Sequence, residues 1–281
     1  GDSKYRSNLR SAVKYFTSRY KAPRSDADLV NDIGSNWDIC AAGIFLGEYH
    51  LATGDKRVLP ALQACCDRIV ARLHPENGRL GHGTNSLPYD EKGLVIINTQ
   101  AHLMWTLAAW SGCTVSRTAW DLSRECVAGA TTGNSAVGYN FSARSGHQGG
   151  GRTGSMALAL EISRLERPTA ASMGDWLGSV YKEINDAHAM SSIGQIYGTA
   201  AMKITNPSGF EEHMQYHRWM FALCSPPDWD QGMFYYGQKG NFGGDHYLDT
   251  TLVGNFVNLL MLNASRNDTL WIYGNRAKDW F

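Results

Sequence analysis

Apolar and polar positions recur along this chain with the 3.6-residue period of a helix, and almost nowhere with the period of two that marks a strand. The pattern predicts ten helical stretches of two kinds. Residues 5–21, 56–73, 117–130, 169–186 and 209–224 pair an apolar stripe with a charged face, which suits the outside of a helical layer. Five others are apolar nearly all round and rich in small residues: 37–54 (WDICAAGIFLGEYHLATG), 97–112 (INTQAHLMWTLAAWSG), 152–163, 191–203 and 250–264. A helix without a polar face has to be covered on every side, so these five are expected inside.

The two kinds alternate strictly, one pair every 40 to 60 residues or so, as in an array of helical hairpins. Closed on itself, such an array is an α/α toroid. The expected fold is therefore a single all-α domain over residues 1–281, with about five to six hairpins. Links from inner to outer helices are short, at 53–55, 112–116, 166–168 and 205–209. Links from outer to inner helices are long at 22–36, 74–96, 131–151 and 225–249, and brief only at 187–190. In a regular array all links of one type lie at one end, so the long loops are expected to share a rim with the N-termini of the inner helices. Function is expected there.

Charge narrows the partners. Lys plus Arg equals Asp plus Glu at 26 each, and no contiguous basic run stands out, so nucleic acid and an anionic membrane surface are not expected. No apolar segment reaches the roughly 18 residues of a membrane span. The opening GDSKYRSNLR is not a signal peptide, which leaves either a cytosolic chain or one whose export signal has been trimmed; the setting stays open, with a secreted or periplasmic one favoured slightly over the cytoplasm. Cys40, Cys65, Cys66, Cys113, Cys126 and Cys224 form no CxxC pair and read as buried thiols rather than disulfides. Asn140, Asn263 and Asn267 each begin an N-x-Ser/Thr sequon, a match frequent enough by chance to decide nothing.

The long loops gather the candidate chemistry. They hold His82, Asp90, Tyr139, Asn140, His147, His188, Asp228, Asp230, Asp245, His246 and Asp249, with Asp38 and Arg152 at the starts of inner helices. Taken singly, a loop His or Asp is more often a cap, a turn residue or a solvated side chain. Taken together with Trp229, Tyr235, Tyr236 and Tyr247, they describe a rim where rings stack on apolar sugar faces and carboxylates meet hydroxyls. Gly149, Gly150 and Gly151, just before Arg152, either let one inner helix approach a neighbour closely or turn backbone N–H groups toward an anionic or hydroxyl-rich ligand.

Several segments, namely WDICAAGIFLGEYHLATGD (37–55), GHG with YDEKGLVIIN (81–98), GRTG (151–154), the loop at His188 and DWDQGMFYYG (228–237), resemble in their order an uncharacterised family of α/α toroid domains. That family is classed as a domain of unknown function and is related in architecture to terpenoid cyclases, to prenyltransferase β-chains and to (α/α)-barrel glycan-active enzymes. The resemblance implies the toroid fold and carries no established reaction, so function rests on the residues.

A glycosidase needs two carboxylates about 5 to 5.5 Å or 6.5 to 9.5 Å apart. Asp38, Asp90, Asp230 and Asp245 are candidates, with Asp230 and Asp245 preferred as acid and base. A polysaccharide lyase needs a Tyr or His base and a group that neutralises a uronate, which Tyr139, Asn140, His147 and Arg152 could supply. Terpenoid cyclisation fits worse, because neither DDxxD nor DxDD occurs. A zinc site of Asp38, Cys40 and His246 lacks close ligand spacing, so no metal or other cofactor is expected. The expectation is a glycan-cleaving enzyme acting on a poly- or oligosaccharide. In it Asp230, Asp245, His147 and Tyr139 are catalytic candidates, and Asp38, His82, Asp90, Asn140, Arg152, His188, Trp229, Tyr236 and His246 bind substrate. A lyase and a non-catalytic toroid that binds a carbohydrate or other small polar ligand are the alternatives.

Overall fold

The computed structural model describes residues 6–23, 25–31, 34–84, 93–140, 149–184 and 193–224. Every regular element among them is helical, apart from an isolated antiparallel bridge between Thr131 and Val137. The described residues fall into two compact units, one up to Gly129 and one from Ala130 onward.

In the first unit, α1 (Arg6–Arg19) and a short α2 (Asp26–Asn31) precede α3 (Asn36–Thr53). The residues flanking α3 explain its bounds. The Ser35 hydroxyl accepts from the Asp38 amide, and the Asp38 carboxylate accepts from the Ser35 amide, forming a capping box. At the other end Gly54, at φ 72°, takes the left-handed conformation and donates to the His50 carbonyl. A 3₁₀ turn (Lys56–Val58), capped by Asp55, leads into α4 (Leu59–Arg72), which has a proline in its first turn.

The next helix, α5 (Val95–Trp110), is buried at every position from Val95 to Ala108, as an all-apolar pattern requires. It packs on α3 and α4. On α3 the absence of side chains at Gly43 and Gly47 leaves room for Met104 and Leu107 of α5. Asn98 then fastens the incoming loop to α5 itself and to the helix that follows it. Its amide donates to the Gly78 carbonyl and to the Ser123 hydroxyl, and its carbonyl accepts from the Leu80 amide. Ser123 belongs to α6 (Arg117–Ala130), whose Trp120 packs edge-on to His102 at 4.3 Å between ring centroids. Burial, reinforced by the Arg124 charge, pushes His102 down to about 3, so the ring is neutral.

The second unit centres on α7 (Gly150–Ser163), buried throughout except at Glu161. Around it stand α8 (Arg167–Ser179), a 3₁₀ turn (Tyr181–Glu183), a π-helical turn (Gly194–Gly198) continued by α9 (Thr199–Thr205), and α10 (Pro207–Cys224). A Cβ on Gly151 would strike Ile193, and one on Gly154 would fall on the Tyr197 carbonyl and the Gly198 amide. Three of these elements differ from the sequence pattern. The stretch 169–186 ends as a helix at Ser179, because Val180 leaves helical geometry. The inner stretch 191–203 opens as a π turn. The third is α3: Asp38, Ala41, Ala52 and Thr53 are exposed and Trp37, Ile44 and Phe45 only partly covered, so it is not sheathed on all sides. Stretch 250–264 lies outside the described residues.

Candidate functional site

The N-terminus of α3 is where two of the long links, 22–36 and 74–96, come together. The Asn36 amide donates to the His82 carbonyl at 2.6 Å, and the Asn36 side chain donates to the Gly81 carbonyl at 2.8 Å. Arg72, in the last turn of α4, donates one nitrogen to both the Gly34 carbonyl and the Asn36 side-chain oxygen. On this frame the Trp37 indole donates to Nδ1 of His82 at 2.8 Å, with the two rings tilted at 35°. Because Nδ1 accepts, the neutral imidazole carries its proton on Nε2. The result is a part-exposed indole fixed in orientation beside an imidazole. The exposed Asp38 carboxylate sits one residue on, already engaged with the Ser35 amide and hydroxyl. A locked aromatic face next to a carboxylate and an imidazole can take the apolar face and the hydroxyls of a sugar.

A second group forms at the N-terminus of α7. The isolated bridge brings Val137 close to the helix start, where the Thr153 hydroxyl accepts from the Val137 amide and Arg152 Nε donates to the Val137 carbonyl at 3.0 Å. The guanidinium lies over the Tyr139 ring, 5.6 Å from its centroid. Arg152 is 0% exposed, and this burial pushes its guanidinium down to about 10, so it stays protonated at neutral pH. In the glycine run before it, two positions are closely packed: Gly150 lies against Ile184 and Gly151 against Ile193.

Thus Asp38 and His82 share one neighbourhood, and Tyr139 and Arg152 another, with Asn140 adjoining Tyr139 in sequence. Asp90, His147, His188, Trp229, Asp230, Tyr235, Tyr236, Asp245, His246 and Tyr247 lie outside the described residues.

These two neighbourhoods sit within the segments around Trp37, GHG and GRTG. The chain belongs to the family described as Domain of unknown function (DUF6288). The match runs over residues 1–274. No curated protein and no solved structure matches the chain. The family description carries no reaction, so membership leaves the chemistry of the α3 and α7 termini to their own geometry.

One group of side chains escaped the sequence pattern. On α10, His213 and His217 lie four residues apart, their rings 4.6 Å from each other and both buried. His213 pairs with the Thr199 hydroxyl at 3.0 Å, and His217 with the Tyr181 carbonyl at 2.9 Å. Burial, and then the neighbouring His217, pushes His213 down to about 3; burial also lowers His217. The spacing in HMQYH was the available signal, masked because 209–224 reads as an outer, solvated helix.

Among the described residues no three His, Cys, Asp or Glu side chains gather as a metal site. No helix among them is long and apolar enough to cross a membrane. Cys40, Cys65, Cys66, Cys113 and Cys126 are free thiols, and burial pushes Cys126 and Cys113 up to about 11 and Cys65 to about 12.

Proposed function

We propose that this member of the family is a carbohydrate-active enzyme built on an α/α toroid, cleaving glycosidic bonds in a poly- or oligosaccharide. The observation that supports the reading is the Trp37–His82 pair. Residues from two separate loops meet at the N-terminus of α3 and hold an indole rigid beside a carboxylate. An aromatic side chain held by a hydrogen bond loses little freedom when a sugar stacks on it, which lowers the cost of binding. In this reading Asp230 and Asp245 act as general acid and base, with Trp229 and Tyr236 as further stacking surfaces. Removing either carboxylate then stops cleavage while leaving binding.

Incubation with a panel of neutral and uronic polysaccharides tests this. The reading expects shorter chains from at least one member of the panel, and no release from Asp230→Asn or Asp245→Asn. No cleavage anywhere in the panel counts against the enzyme reading.

A polysaccharide lyase is the second reading, favoured by the Arg152 cation lying over the ring of Tyr139, a candidate base. It expects products with an unsaturated non-reducing end, seen by ultraviolet absorbance.

A further inference from the structure

The chain is neutral overall, but its charges are not evenly spread. Residues 3–25 carry Lys4, Arg6, Arg10, Lys14, Arg19, Lys21 and Arg24, seven of the 26 basic residues, and none of the 26 acidic ones. An even distribution would place about two of each sign in a segment of that length. Helix α1 spans most of this segment, and Arg10 and Lys14, one turn apart on one face, are both exposed, as is Lys21 beyond its end. None of the three enters an ion pair among the described residues. Arg19 is differently placed: it donates to the Tyr15 hydroxyl at 3.2 Å and lies near the Asp38 carboxylate.

We propose that the exposed basic face of α1, extended by Lys21 just beyond its end, docks a carboxylated glycan through Arg10, Lys14 and Lys21. This rests on the reading of the chain as carbohydrate-active and narrows its substrate to a polyuronate. Charge complementarity carries the proposal. A stripe of positive charge with no acidic neighbour on its own helix attracts a polyanion, and an Arg fork pairs with a carboxylate bidentately. A lipid surface fits less well. An interfacial helix needs a free apolar face, and that face of α1 is turned inward, with Phe16 against Phe45 at 5.3 Å and Tyr20 1% exposed. Of the large hydrophobic residues on α1, Leu9 and Tyr15 are exposed, at 46% and 53%. The Tyr15 ring is itself engaged by Arg19, whose guanidinium lies 5.9 Å from its centroid.

The test measures binding of polygalacturonate and of neutral dextran to the full chain and to the double variant Arg10→Ala/Lys14→Ala across a salt series. Both positions are exposed, so the variant keeps its fold. The expected result is polygalacturonate affinity reduced about tenfold at low salt, with a logarithmic salt slope shallower by about two, and dextran binding unchanged. Unchanged polygalacturonate affinity overturns the proposal. So does an equal loss for phosphatidylserine vesicles or for duplex DNA, which would show a general polyanion surface. If polygalacturonate is bound through these residues but no glycan is cleaved, the docking face stands and the enzyme reading falls. If it is cleaved with the same KM by the double variant, the enzyme reading stands and the docking face falls.

Discussion

The two units each bury one helix almost completely, and they solve the problem of close approach in opposite ways. In the first unit the buried helix α5 brings the bulk: Met104 and Leu107 press into space left by Gly43 and Gly47 on the neighbouring α3. In the second the buried helix α7 brings the space, because Gly151 and Gly154 let it lie against Ile193 and against the backbone between Tyr197 and Gly198. A side chain filling a gap can shift by changing rotamer, whereas a backbone filling a gap cannot. At Gly43 the gap is filled by the flexible end of Met104, which can yield, whereas at Gly47 it is filled by the Leu107 Cβ and at Gly154 by the Tyr197–Gly198 backbone, neither of which a rotamer change moves.

Breaking the rigid contact has the largest expected effect. Gly154→Ala pushes a methyl into the Tyr197 carbonyl and the Gly198 amide, with expected destabilisation of about 3 kcal/mol or more, at the upper end of overpacking costs. Chemical denaturation of wild type and variant measures it; a change below about 1 kcal/mol contradicts a backbone contact there.

Acid weakens both units next, since each buries a neutral histidine held down to about 3: His102 in the first and His213 in the second. Their folded values lie below the unfolded value of about 6.5, so the unfolded chain binds the proton first. The stabilisation from keeping each ring neutral is fully present above pH 6.5 and is lost as pH falls from there toward 3. The expected slope is up to about 1.4 kcal/mol per pH unit for each histidine. His213→Gln should remove one histidine's share of the slope and leave that of His102; an unchanged slope between pH 6 and 4 contradicts the burial of a neutral His213.

The smallest effect belongs to the yielding contact. Gly43→Ala meets the flexible Met104 side chain, and a loss of about 1 kcal/mol is expected, partly offset by the helix propensity gained over glycine. A loss as large as that of Gly154→Ala would erase the distinction between the two contacts.

The same particulars show what the sequence made legible. The burial of α5 and α7 follows from apolarity on every side, because water leaves no other place for such a helix. The pattern overstated α3 for the same reason: it reports that Ile44 and Phe45 are apolar, not how much chain lies over them. The π turn at Gly194–Gly198 was hidden because it changes the hydrogen-bond register within an apolar run without changing the run. At the candidate site, His82 and Asp38 were singled out one at a time. Their shared neighbourhood depends on Asn36, braced by Arg72, bonding to a loop 45 residues away, and no spacing in the chain encodes that. His213 and His217 were missed because helical spacing alone does not say whether a face meets solvent or core.

The Trp37 platform is the most direct point of attack on the carbohydrate reading. Oligosaccharides released from the polysaccharide panel, titrated against wild type and Trp37→Ala, should bind the variant at least tenfold more weakly, since losing a stacking ring costs roughly 1 to 3 kcal/mol. Trp37→Phe, which keeps a ring and loses the bond to His82, should fall between the two. Equal affinity of wild type and Trp37→Ala, with both folded, would contradict the assignment of α3's N-terminus as the sugar-binding surface.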